Sequence, residues 1–282
     1  METKVITIDH KNIDEVVLQE AGRIIREGGL VAFPTETVYG LGGDALNKES
    51  SRKIYEAKGR PSDNPLIIHI CKMEDLGPIV EEIPEAVYRL AEAFWPGPLT
   101  IIMKKSERVP KETTGGLNTV AVRMPSHPVA LKFIEYTGGY VAAPSANLSG
   151  RPSPTIAKYV IEDMDGRIEM ILDGGEVGIG LESTIIDLTV EPPQILRPGY
   201  VTEEMLKEVL GLVDLDQTIL EHDCDVAPKA PGMKYRHYAP SGEMTIVVGN
   251  ASGVVRYINE QTALFQKKGN KVGVISSEEM LK

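Results

Sequence analysis

Apolar residues at Val17, Ala21, Ile24 and Ile25 recur at the spacing of one helical face, after a helix start at Asn12 and Glu15 and before the stop at Gly28-Gly29. The next four residues, Leu30-Val31-Ala32-Phe33, form an unbroken apolar run ended by Pro34, which predicts a short buried strand. The two patterns then keep alternating. Helices are predicted over residues 48–57, with Ile54 and Ala57 inward, and over 84–94, with Pro84 first and Val87, Leu90, Ala91 and Phe94 in one stripe. Further helices are predicted over 127–136 and 202–210, and strands over 66–70, 99–103, 120–124, 140–143, 183–188 and 194–197. Strands interleaved with helices point to an α/β domain around a mixed sheet.

Past residue 212 the pattern changes. Residues 214–231 are acidic and rich in turn formers, including His222-Asp223-Cys224-Asp225, whose four adjacent side chains are poorly placed to converge on one metal. A strand-helix-strand pattern follows over 244–248, 254–265 and 271–275. The predicted organisation is a main domain over 1–212, a linker over 213–242 and a short β-α-β segment over 243–282 that can bury little core alone.

Composition narrows the function classes. The chain has 282 residues, 42% hydrophobic and 25% charged, the proportions of a soluble globular protein. No apolar run approaches a membrane span, and Met1-Glu2-Thr3-Lys4 lacks a signal-peptide pattern, so a cytoplasmic location is expected. Cys71 and Cys224 are far apart and belong to no C-x-x-C, which supports neither a disulfide framework nor a zinc ribbon. A formal charge of −11 argues against a broad non-specific nucleic-acid surface, while leaving room for a local basic cleft.

Candidate chemistry gathers just beyond predicted strand ends, where α/β folds hold ligands. Pro34-Thr35-Glu36-Thr37-Val38-Tyr39-Gly40-Leu41-Gly42 places two threonines, a glutamate and a tyrosine after the first strand. No P-loop is present, and Gly40-x-Gly42-x-x-Ala45 fits the loose dinucleotide pattern without its acidic ribose partner. Lys58 and Arg60 flank a glycine in a proline-bounded loop, either as a solvated pair or as two heads directed at phosphate. Ser145 and Asn147, in the turn after the 140–143 strand, offer a hydroxyl and an amide, or else only close that turn. Arg123, near a strand end, suits a carboxylate or a salt bridge, and His69 suits a ligand contact or simple packing.

Three segments in order carry a resemblance: Pro34 through Gly42, then Lys58-Gly59-Arg60-Pro61, then Pro144-Ser145-Ala146-Asn147-Leu148-Ser149-Gly150. They resemble the signatures of the YrdC-like threonylcarbamoyl-AMP synthases, and Lys234-Tyr235-Arg236-His237-Tyr238-Ala239-Pro240 resembles the linker motif of the longer, two-domain members. The resemblance implies a YrdC-like mixed twisted sheet flanked by helices, with a concave cleft. It also implies synthesis of L-threonylcarbamoyladenylate and pyrophosphate from L-threonine, bicarbonate and ATP, with Mg2+ accompanying ATP, for modification of tRNA. Threonine binding is thereby assigned to Thr35, His69, Arg123 and Ser183. ATP binding is assigned to Tyr39, Lys58, Arg60, Asn64, Thr119, Ser145, Asn147, Ser153, Arg197 and Tyr238, with Lys58 and Arg60 catalytic and no resident metal. The segment 234–240 is expected to cross the cleft as a lid. tRNA or tRNA-modification proteins are the implied macromolecular partners. An RNA-binding module without ATP turnover, and a carbamoyltransfer domain acting on another protein, are the competing classes.

Overall fold

The computed structural model describes residues 2–216 and 243–277. In chain order its elements are β1 (Lys4–Thr7), α1 (Glu15–Arg26), β2 (Val31–Phe33), β3 (Gly40–Asp44), α2 (Lys48–Lys58), β4 (Ile67–His69), α3 (Glu85–Phe94), β5 (Leu99–Lys104), β6 (Thr119–Arg123) and α4 (Pro128–Thr137). Then follow β7 (Val141–Ala142), α5 (Ala157–Met164), β8 (Met170–Asp173), β9 (Thr184–Asp187), β10 (Gln194–Arg197), α6 (Glu203–Leu210), β11 (Asp214–Leu215) and α7 (Ala251–Lys267). Among the described residues no helix is long and apolar enough to cross a membrane.

One mixed sheet of eleven strands runs in the order β1-β8-β2-β3-β7-β4-β6-β5-β9-β10-β11. Its short strands alternate between two covered faces. In β2, Ala32 joins the core that includes Ile54 of α2, Leu90 of α3 and Val160 of α5, while Val31 and Phe33 join Leu18 and Ile25 of α1 and Phe133 of α4. Burial on both sides makes such a strand read as a continuous apolar run rather than an alternating one. A third cluster, Ile67, Ile102, Ala121, Ile185 and Leu196, is drawn from β4, β5, β6, β9 and β10 alone. Ile67 of this strand-only stretch also lines a cleft.

The structure departs from the sequence expectations in several places. Helix α1 is capped by Asp14, whose carboxylate accepts from the amides of Val16 and Val17, so Asn12 is not the start. Pro84 is the cap residue before α3 rather than its first residue. The motif expected as loop through Gly42 turns into β3 at Gly40, so the loose glycine pattern sits inside a strand and not at a strand-to-helix turn. Glycine is required there by close packing: a Cβ on Gly42 would come 2.9 Å from Cγ1 of Val141. Strands β1 and β8 and helix α5 were not anticipated, and β11 begins at Asp214, inside the stretch read as linker.

The chain divides into compact units over 1–239 and 240–282. In the second, the predicted helix forms as α7, capped by Asn250 through a bond from the Gly253 amide at 2.8 Å. The flanking segments 244–248 and 271–275 form no strands among the described residues, a correction to the β-α-β expectation, and Ile246, Val248 and Ile275 are exposed. A strand needs a partner for its backbone groups, and among the described residues no neighbouring strand is present there.

Candidate active site

The sheet's register builds the amino-acid end of the cleft. β4 and β6 run parallel with His69 opposite Arg123, and β5 runs antiparallel to β6 with Thr100 opposite Arg123. Paired residues point to the same face, so His69, Arg123 and Thr100 form one polar row beside the apolar row Ile67, Ala121 and Ile102. Arg123 donates from Nη2 to Oε1 of Glu36 at 2.6 Å, and the two side chains are only 5% and 12% exposed. Glu36 Oε2 is buried and has no hydrogen-bond partner among the described residues. His69 is fully enclosed; burial first, and the Arg123 charge second, push its pKa down to about 3, so its ring is neutral.

At the other end, Arg197 closes β10 and is held on three sides. Its Nε donates to the Ser183 carbonyl at 3.0 Å, Nη2 to Ser183 Oγ at 3.1 Å, and Nη1 to Glu182 at 2.5 Å. Ser183 Oγ meets Thr100 Oγ1 at 2.7 Å, and Ser153 Oγ donates to Glu182 Oε1 at 2.7 Å. Thr100 therefore touches the networks of both ends.

The cleft between them is lined by Thr35, Tyr39, Arg60, His69, Arg123, Ser145, Ser183 and Arg197 from the sequence assignments. Thr37 and Glu182 also line it and were not assigned there. Thr35 Oγ1 donates to the Val38 carbonyl at 2.6 Å and contacts Thr37 Oγ1 at 3.0 Å, so this turn is folded by its own hydroxyls. Tyr39 is locked: its hydroxyl donates to the Gly175 carbonyl at 2.7 Å and accepts from the Gly174 amide at 3.1 Å. Burial, aided by the Asp173 charge, raises its pKa, so the phenol stays protonated.

Lys58, Asn64, Thr119, Asn147 and Ser153, also assigned, are not among the residues that line the cleft. Lys58 is the last residue of α2, before a left-handed cap at Gly59, and its buried ammonium is held by the carbonyls of Ser145 and Asn147 instead of lining the cleft. Burial, then Arg60, depress its pKa well below the lysine range. It clamps the turn that carries Ser145, and Asp163 braces the same turn by accepting from the Leu148 amide at 2.9 Å. Asn147 donates to the carbonyls of Leu148 and Arg151, leaving Oδ1 buried and unpartnered among the described residues, as is Oδ1 of Asn64. Thr119 shares the Arg123 face of β6 but lies four residues away, roughly 13 Å along the strand. Tyr238, and the 234–240 segment expected as a lid, lie outside the described residues.

Glu36 and Glu182 are two carboxylates that pair with the site's arginines and that the sequence assignments left out. Each sits directly beside an assigned residue, Thr35 and Ser183, and each neutralises an arginine that was assigned. An arginine proposed at a buried site calls for a nearby carboxylate, and that demand was the available signal.

An α/β fold with a cleft built from arginines and hydroxyls suits an enzyme that handles charged, oxygen-rich substrates. The profile of a family described as "Telomere recombination" (Sua5/YciO/YrdC) matches residues 23–199, and one described as "Threonylcarbamoyl-AMP synthase, C-terminal domain" matches residues 201–282. The chain is 55% identical over 267 residues to a threonylcarbamoyl-AMP synthase of Pyrococcus abyssi, covering 95% of this chain and 78% of the relative. It is 46% identical over 272 residues to one of Bacillus subtilis, covering 96% and 77%. A crystal structure of P. abyssi Sua5 complexed with L-threonine superposes with a TM-score of 0.94 at 54% identity, covering 98% of this chain and 80% of that one. The chain belongs to the Sua5/YrdC family of threonylcarbamoyl-AMP synthases.

Proposed function

We propose that this cleft makes L-threonylcarbamoyladenylate and pyrophosphate from L-threonine, bicarbonate and ATP, as one step toward threonylcarbamoylation of tRNA. The observation that carries the reading is the convergence of Arg60, Arg123 and Arg197, from three separate parts of the chain, on one cleft with the hydroxyls of Thr35, Ser145 and Ser183. Arg123 takes the threonine carboxylate through guanidinium N–H groups that Glu36 leaves open. The neutral His69 beside it adds no positive charge that would repel the substrate's ammonium. Arg60 and Arg197 face the phosphates, with Ser145 beside them, and Mg2+ enters as part of the nucleotide substrate, keeping several of its waters.

The chemistry asks for placement more than for covalent help. The threonine amine captures bicarbonate as a carbamate, whose oxygen attacks the α-phosphate and expels pyrophosphate. Holding the two partners in line and stabilising charge on the phosphates supplies the rate, and no side chain is needed as a nucleophile. The experiment follows pyrophosphate release and adenylate mass with threonine, bicarbonate or both omitted. Release is expected only when both are present, and equal release with both absent overturns the reading.

A further inference from the structure

A threonine bound at Arg123 arrives with its amine protonated, and an ammonium has no lone pair with which to attack. Ammonium and bicarbonate together give a carbamate, one water and one proton: an N–C bond forms and a C–O bond of bicarbonate breaks. Of the two protons the nitrogen gives up, one leaves in the water with the bicarbonate hydroxyl. The other has to be carried away.

Glu36, His127 and His10 lie near enough together for the charges of the first and last to act on the ring of the second. Glu36 holds the Arg123 guanidinium with Oε1 and keeps Oε2 buried and without a hydrogen-bond partner among the described residues. His127, the cap residue of α4, likewise has a buried Nδ1 with no partner among the described residues. His10, on the turn after β1, is exposed, and its ring stacks edge-on to that of His127 with centroids 6.3 Å apart. We propose that Glu36 and His127 form a proton path out of the amino-acid subsite, passing to His10 and solvent the proton that leaves the substrate amine as it becomes a carbamate.

The proposal rests on the reading of the cleft given above. The α-carboxylate and α-amine of an amino acid hang from one carbon, so a carboxylate bonded to the arginine that grips the first is placed to receive from the second. Buried polar atoms are ordinarily paired, and among the described residues Glu36 Oε2 and His127 Nδ1 are two that are not, which suits a place where a proton is transferred, directly or through one water. The charges that bear on His127 are those of Glu36 and His10: burial lowers its pKa, Glu36 opposes that, and His10 adds to it. Glu36 is thus the neighbouring charge that favours a proton on this ring, as a relay out of the subsite requires.

The test is the pH dependence of kcat for pyrophosphate release by the full chain and by His127→Gln, with all substrates saturating. The variant is expected to lose roughly tenfold in kcat near neutral pH. Its threonine KM should stay within about twofold of the parent, and the deficit should shrink as rising pH deprotonates the amine in solution. A merely structural role would give a deficit that does not change with pH. A folded variant with the parent's kcat, or with an equal deficit at every pH, overturns the path. Should His127→Gln fail to fold, the exposed His10→Gln decides by the same two criteria. If the unaltered chain releases pyrophosphate without threonine and bicarbonate, the reading of the cleft falls first, which is a separate outcome.

Discussion

The two ends of the cleft each pair an arginine with a glutamate, yet they are built to opposite effect. At the β6 end Glu36 gives Arg123 one oxygen and leaves the other unpartnered among the described residues, while His69 and Thr100 stand beside Arg123 in register. At the β10 end Arg197 is tied by three of its nitrogens to Glu182 and Ser183, and Ser183 is tied in turn to Thr100. The first end keeps carboxylate hydrogen-bonding capacity in reserve in a dry place, whereas the second is a bracket tied at every nitrogen. Reserve capacity suits a site that must grip a small substrate and move a proton. A tied bracket, with N–H groups still to offer, suits a fixed charge laid along a phosphate chain.

Removing Arg123 tests that contrast most severely. Arg123→Ala leaves the Glu36 carboxylate buried and unpaired, so chemical denaturation should show a loss of about 3–5 kcal/mol. Arg123→Lys keeps the charge but loses the fork, and calorimetry should find threonine binding weakened more than ATP binding. If ATP affinity falls further instead, Arg123 serves the nucleotide end.

The next effect belongs to His69. Its folded pKa of about 3 lies below the ordinary 6.5, so between those values the unfolded chain binds the extra proton. Stability from this residue is fully present above pH 6.5 and is lost as pH falls toward 3, on the order of a few kcal/mol in all. Unfolding measured across that window should flatten in His69→Gln relative to the parent. An unchanged slope would mean that the histidine is already charged in the folded protein.

The smallest effect is expected at the Arg197 end. Arg197→Ala leaves Ser183 Oγ its bond to Thr100 and Glu182 its bond from Ser153, so the stability cost should be about 1–3 kcal/mol, below that at Arg123. Its binding defect should fall on ATP and spare threonine. A stability loss as large as that of Arg123→Ala would erase the distinction between the two ends.

Much of this architecture was legible in the sequence because burial on both faces writes apolar runs, as at β2, β4 and β5. What escaped had a weaker signature. β1 is a four-residue edge strand whose burial is slight, and β8 offers only Met170, Ile171 and Leu172 between acidic neighbours. β3 is mostly glycine, a residue that argues locally against a strand, and it forms because Phe33 and Val141 pack onto its backbone. At the site, the resemblance assigned Arg60, Arg123, Ser145 and Arg197 from separate stretches of the chain, and all four line one cleft. The direction of Lys58 was not legible, since a helix-end lysine turns inward or outward according to which carbonyls lie beneath it, and these come from a turn almost 90 residues away.

The polar row His69, Arg123 and Thr100 is spaced by hydrogen-bond rungs between β4, β6 and β5, and rungs come only in whole steps. Adding one residue within β6 would turn Arg123 to the opposite face and put Val122 in its place, and removing one would bring in Met124. Loops such as 174–182 can lengthen or shorten over evolutionary time without disturbing that row, but these three strands cannot. Variation by insertion and deletion is therefore confined to the rim, and the amino-acid end of the cleft can drift only by substitution.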